Sequence, residues 1–123
     1  MNFLREQLNP VSGEKLREFG WSDEGRSPNM VRQNAVKVCR KPAANSTDGI
    51  RGAKGMGSGL HIWEMRWPRA ERGTYAAIGV GTDKAKLQAD GYVPLLGADE
   101  HSFGWDIGGW NWQIWEYLRA YKD

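Results

Sequence analysis

Residues 60–67 read LHIWEMRW, and their strict alternation constrains the fold more than any other stretch of the chain. With a period of two, Leu60, Ile62, Glu64 and Arg66 share one face, and His61, Trp63, Met65 and Trp67 share the other. The second face carries two indole rings and a thioether, so it is the face expected to be buried, and the segment is expected to be a β-strand. A turn or loop, PRAERG, follows it. TYAAIGVGT then predicts a second strand, whose small residues and glycines suit close packing against a neighbouring sheet. SFGWDI predicts a third.

The rest of the chain fits a β-rich domain. MVRQNAVKV, from Met30, is valine-rich and loosely alternating, which suits a strand, and Pro42 ends it because proline has no N–H to give a ladder. NSTDGIRG is turn chemistry. The long connection DKAKLQADGYVPLLGADEH predicts a short helical turn near Lys84–Gln88. Strands this short, close together and joined by Gly- and Pro-rich segments, point to an antiparallel β-sandwich. Residues 1–28 are polar and broken by Pro10, Gly13, Gly20, Gly25 and Pro28, so they predict an irregular arm with a helical turn around Glu14–Phe19. The tail from Gly109, GWNWQIWEYLRAYKD, departs from this β-rich pattern. Trp112, Trp115, Leu118 and Tyr121 recur every third residue, the spacing of a short helix.

Composition removes several classes of function. The chain has 123 residues, which bounds it to one domain, with 17 basic and 15 acidic side chains. A net charge of +2 gives no electrostatic argument for nucleic acid or a membrane surface. Cys39 is alone, so no internal disulfide forms, and no apolar run resembles a signal peptide or a membrane span; cytoplasm or nucleus is the expected location. His61 lies on the tryptophan face and reads as a packing residue. Asp99, Glu100 and His101 are adjacent in a loop and lack the rigid, spaced arrangement of a metal site. GAKGMGSG matches neither a phosphate-binding loop nor a dinucleotide fingerprint and reads as a hairpin loop. With no nucleophile beside a base and no acid–base pair, neither an enzyme nor a cofactor is expected. Binding through loops on a rigid sandwich is the better expectation. A sugar-binding sandwich with stacked tryptophans is the weaker one, because no polar groups are placed beside those rings.

RKPAANSTDGIRG, followed by SGLHIWEMRWPRAERGTYAAIGVGTDKAKLQADGYVPLLGADEHSFGWDIG, resembles the SPRY domain of the SPRY domain-containing SOCS box proteins, the GUSTAVUS-like family, over about residues 40–108. WSDEGRSPN is similar to that family's Trp-x-x-x-Asp-Arg-Ser-x-Asn segment, with Gly25 in place of the aspartate. F-box SPRY adaptors share much of the pattern. The resemblance implies a two-sheet antiparallel sandwich that recognises substrates for a cullin-RING ubiquitin ligase. It implies a ligand peptide with an acidic residue, an aliphatic residue and three asparagines, contacted by Arg40, Pro42, Ala44, Thr74, Tyr92 and Leu95. Elongins B and C and a cullin are the implied partners, docked in the family through a C-terminal SOCS box.

After Gly108 the family pattern stops, and the tail resembles nothing in it. The expectation is therefore an N-terminal arm (1–28), the N-terminal part of a SPRY domain (29–108) and a divergent tail (109–123), without the strands that would complete the sandwich, the Val-Trp-Gly segment that closes the family's pocket, or the SOCS box. Such a chain is expected to act as a weak peptide binder that competes with the full-length adaptor, or to have no function. Trp63, Trp67 and Trp105 would lack neighbours, leaving apolar faces and open edges exposed. The expected outcome is self-association or marginal stability in sedimentation and thermal unfolding; a monomer with a single cooperative transition would contradict it.

Overall fold

The computed structural model describes residues 18–108. The expected helix in the tail lies outside them, as does the start of the helical turn around Glu14–Phe19, of which Glu18 and Phe19 are helical. Among the described residues eight strands follow: β1 (Trp21–Arg26), β2 (Met30–Arg32), β3 (Val38–Arg40), β4 (Ser46–Asp48), β5 (Ile50–Gly52), β6 (Ala77–Gly81), β7 (Gln88–Asp90) and β8 (Ser102–Asp106). They pair as four antiparallel two-stranded ladders, β1–β5, β2–β3, β4–β7 and β6–β8. The architecture is all-β and antiparallel, that of an incomplete β-sandwich of SPRY type.

The longest regular pairing is β6 with β8, where Gly79 faces Gly104. Both glycines are forced by packing. A Cβ on Gly79 would collide with the carbonyl oxygen of Phe103, and one on Gly104 with the side chain of Leu96. Alongside lies the apolar core: Ala76, Ile78 and Ile107 are buried, and Met65 and Trp67 pack against them.

Other elements depart from expectation. MVRQNAVKV is a hairpin instead of one strand: Asn34 Oδ1 accepts from the amides of Val36 and Lys37, both at 2.9 Å, and turns the chain back so that Val31 faces Cys39. NSTDGIRG holds β4 and β5, and the arm holds β1. Near Lys84 there is a single turn, closed by Ala85 N–H to the Thr82 carbonyl at 3.1 Å, instead of a helix.

The largest correction concerns residues 60–67, which form no strand. The period of two still sorts part of the segment, since Met65 and Trp67 face the core while Leu60 is 65% exposed. Trp63, however, is 39% exposed, against the expectation for its face. Arg72, in the connection before β6, anchors the end of the segment. Its Nε and Nη2 donate to the Trp67 carbonyl at 3.1 and 2.8 Å, and its Nη1 donates to the Ile107 carbonyl at 2.7 Å. One planar fork thus joins the 60–67 segment to the end of β8 without a ladder.

A second region of the fold is held by polar groups. The Asp48 side chain has no solvent exposure and accepts from Ser27 Oγ at 2.5 Å, Asn29 Nδ2 at 3.0 Å, Ser46 Oγ at 3.1 and 3.2 Å, and Arg40 Nε at 2.7 Å. Burial alone would raise the pKa of this carboxyl; the hydrogen bonds from Ser27, Arg40, Asn29 and Ser46 together outweigh it and hold it below the usual carboxylate value. A depressed folded-state pKa stabilises the protein above the unfolded value, and that share is lost as pH falls through the folded value.

Two outcomes follow from this packing. Stability should hold from neutrality down to about pH 4 and fall below it, and Asp48→Asn should remove that acid limb in urea titrations at stepped pH while costing about 3 kcal/mol near neutrality. Gly79→Ala should lower the urea midpoint by an amount worth about 1–3 kcal/mol, because the added methyl meets backbone that cannot move aside without breaking the β6–β8 ladder.

Candidate functional site

Above the polar centre, the chain from the end of β3 to the start of β4 forms an exposed rim. Arg40 ends β3 with a guanidinium whose Nη2 donates to the Ala43 carbonyl at 2.6 Å and to the Ser46 carbonyl at 2.9 Å, beside the Nε bond to Asp48. Pro42 and Ala44 are exposed, and Ala44 and Asn45 form a turn. Asn45 takes a left-handed φ of 55°, a conformation asparagine tolerates better than most residues.

The second wall comes from the segment after β7. Asn45 N–H donates to the Tyr92 hydroxyl at 3.0 Å, and Gly91 N–H donates to the Asn45 carbonyl at 2.6 Å. Thr47 fastens the same segment from β4: its Oγ1 donates to the Gly91 carbonyl at 2.7 Å and accepts from Val93 N–H at 3.0 Å. The Tyr92 ring is 52% exposed. Its oxygen is used as an acceptor by Asn45, so its own O–H is available to donate outward. Leu95 is half-buried behind this wall, its Cδ1 3.7 Å from where a Cβ on Gly49 would stand.

Five of the six candidate residues therefore lie on or directly behind connected segments: Arg40, Pro42 and Ala44 on one side, Tyr92 and Leu95 on the other. Thr74 is exposed in a bend before β6, and no hydrogen bond among the described residues ties it to the others. Arg40 is largely bonded within the fold. A two-bonded pairing with an outside carboxylate needs its fork open, but Nε and Nη2 are committed internally, leaving Nη1 as the one guanidinium nitrogen with no hydrogen bond among the described residues. The residues that shape the rim and that sequence reasoning does not single out are Asp48, Asn45, Thr47 and Asn29. The sequence holds a faint signal, an arginine and an aspartate eight positions apart across a turn-forming stretch, but the pairing itself needs the fold.

Among the described residues no three His, Cys, Asp or Glu side chains converge as a metal site. Asp99 and His101 serve their own loop, with His101 N–H donating to Asp99 Oδ1 at 2.8 Å. A separate open groove of about 500 Å³ is lined by Phe19, Lys54, Met56, Leu60, Ile62 and Trp63, and none of the six candidate residues reaches it.

No protein-family model matches the chain. Individual relatives do. The chain is 48% identical over 93 residues to SPRY domain-containing SOCS box protein 2 of Mus musculus, covering 75% of this chain and 35% of that protein. It is 45% identical over 103 residues to protein gustavus of Drosophila melanogaster, covering 82% of this chain and 37% of that one. It is 43% identical over 109 residues to F-box/SPRY domain-containing protein 1 of Caenorhabditis elegans, covering 85% and 32%. The chain thus spans about a third of the length of these relatives. With this much identity spread over most of its residues, it belongs to the family of the SPRY domain-containing SOCS box proteins and gustavus.

Proposed function

We propose that this chain is a peptide-binding module of the kind that selects substrates for a ubiquitin ligase, and not an enzyme. Its ligand is a short segment with an acidic residue, an aliphatic residue and three asparagines. The rim of Arg40, Pro42, Ala44, Tyr92 and Leu95 receives it, with Thr74 as a contact from the β6 side. Elongins B and C and a cullin are the proposed partners of the complete ligase.

The observation that carries this reading is the hydrogen-bonded junction of the Ala44–Asn45 turn with Tyr92. Three asparagine side chains bring many donors and acceptors, and each must find a partner when desolvated. A rim built of turn backbone with an outward phenol O–H offers such partners. Its two walls are already joined in the absence of ligand, so the ordering cost falls on the peptide. The aliphatic residue has Leu95 and Pro42 as apolar neighbours, and Nη1 of Arg40, which makes no hydrogen bond among the described residues, is left to meet the acidic one.

Titration of the chain with a peptide of one aspartate, one isoleucine and three asparagines, followed by calorimetry, should give saturable binding that a peptide with three alanines for the asparagines does not reproduce. Tyr92→Phe should weaken it about fivefold, the worth of roughly 1 kcal/mol for one hydrogen bond. Absence of heat or spectral change at millimolar peptide would reject the reading.

A further inference from the structure

The carboxylate that fixes the rim, Asp48, is shut away from solvent. Arg40 spans the whole connection between β3 and β4: one nitrogen reaches forward to the Ala43 carbonyl and the Ser46 carbonyl, and another holds Asp48. The connection it brackets includes the left-handed Asn45, a conformation that the surrounding contacts help to hold. Asn45 in turn presents its N–H to Tyr92. The Arg40 side chain is about a third exposed, at 34%, so it has water as an alternative partner. The Asp48 carboxylate has none, at 0% exposure, and it is itself immobilised by Ser27, Asn29 and Ser46. The chain of contacts therefore has a fixed end and a free end. It runs from Ser27 and Asn29 through Asp48 to Arg40, then through the Ala43–Asn45 turn to the Tyr92 hydroxyl.

We propose that Asp48 is the positioning residue of the rim: by gripping Arg40 it sets the Ala43–Asn45 turn, and through that turn the Tyr92 hydroxyl that a ligand meets. What the rim binds rests on the peptide reading above; the positioning itself does not. Asp48, shut from solvent, offers a ligand no surface, and Arg40 acts first as a clamp on backbone carbonyls, with only Nη1 left over. A lysine at position 40 keeps a cation for Asp48 but has no planar fork, so it releases the carbonyls of Ala43 and Ser46.

The test uses the full chain with Asp48→Asn, Arg40→Ala, the double variant and Arg40→Lys, and reads two quantities. One is amide hydrogen exchange at Asn45 and Gly91, with Val80 in the β6–β8 ladder as the internal reference. The other is affinity for the aspartate–isoleucine–triple-asparagine peptide. Asp48→Asn should speed exchange at Asn45 and Gly91 and weaken the peptide, each about tenfold, while Val80 exchanges no faster than the global loss of stability read in urea accounts for. Arg40→Ala should do the same, and the double variant should be no worse than Arg40→Ala, because the two residues act in series. Unchanged exchange at Asn45 and Gly91 in Asp48→Asn overturns the proposal, as does a double variant whose loss is the product of the single losses. Should Asp48→Asn unfold, Arg40→Lys decides the matter: it must loosen Asn45 and Gly91 in a folded protein, and rigid amides there reject the clamp. If the unaltered chain binds no peptide, the peptide reading fails while exchange still judges the positioning.

Discussion

A carboxylate shut away from water must have its lone pairs filled, and the Asp48 side chain meets that demand with donors from three separate stretches of chain. Ser27 and Asn29 come from the link between β1 and β2, Arg40 from the end of β3, and Ser46 from the same strand as Asp48. Each donor is drawn to a fixed point, so the elements that carry them are drawn with it. The apolar core elsewhere is built of Ala76, Ile78 and Ile107, too small a cluster to dictate how the β1–β4 end folds. Directional bonds to one buried charge supply the geometry that volume filling does not. Such a centre gives little net stability, since desolvation offsets much of the attraction, but breaking it is costly because the remaining groups stay buried and unpaired.

The same logic explains the ladders. Three-residue strands such as β4 and β7 are too short to hold register by pairing alone. Here Thr47 and Ser46 add side-chain bonds across that pair, to Gly91 and from Gln88. By contrast, β6 and β8 need no such staples. Five residue pairs and the opposed Gly79 and Gly104 bring the strands and Leu96 close together.

How much of this is legible in the sequence depends on the range of the contacts involved. TYAAIGVGT and SFGWDI announce β6 and β8, because glycine and small β-branched residues at a period of two have few other uses. β1, β4 and β5 hide in stretches rich in Ser, Asp and Gly, where turn propensity and short strands share a vocabulary. Residues 60–67 show the reverse error. Alternation reports which side chains want to be inside, and Met65 and Trp67 are; it does not report whether a neighbouring strand is there to pair with, and Arg72 takes the anchoring role a ladder would have filled. MVRQNAVKV misleads for a local reason: Asn34 can cap its own turn, and that outweighs the valines around it.

The rim divides in the same way. Tyr92 and Leu95 stand out as exposed or apolar residues in a loop, yet nothing local says that Tyr92 receives the amide of Asn45, 47 positions earlier. Arg40 is legible as a cation and illegible as a clamp, because the partner that makes it one lies across a turn whose course only the fold reveals. In the proposed peptide-binding role, a residue whose fork is spent on its own backbone would lend a ligand shape more than charge, so discrimination would fall on the turn it holds and on the phenol that turn supports. An arrangement of that kind would favour ligands rich in neutral donors and acceptors over ligands that are merely acidic, because the polar partners on offer are a backbone turn and a hydroxyl, with only the Nη1 amino group of the guanidinium left over.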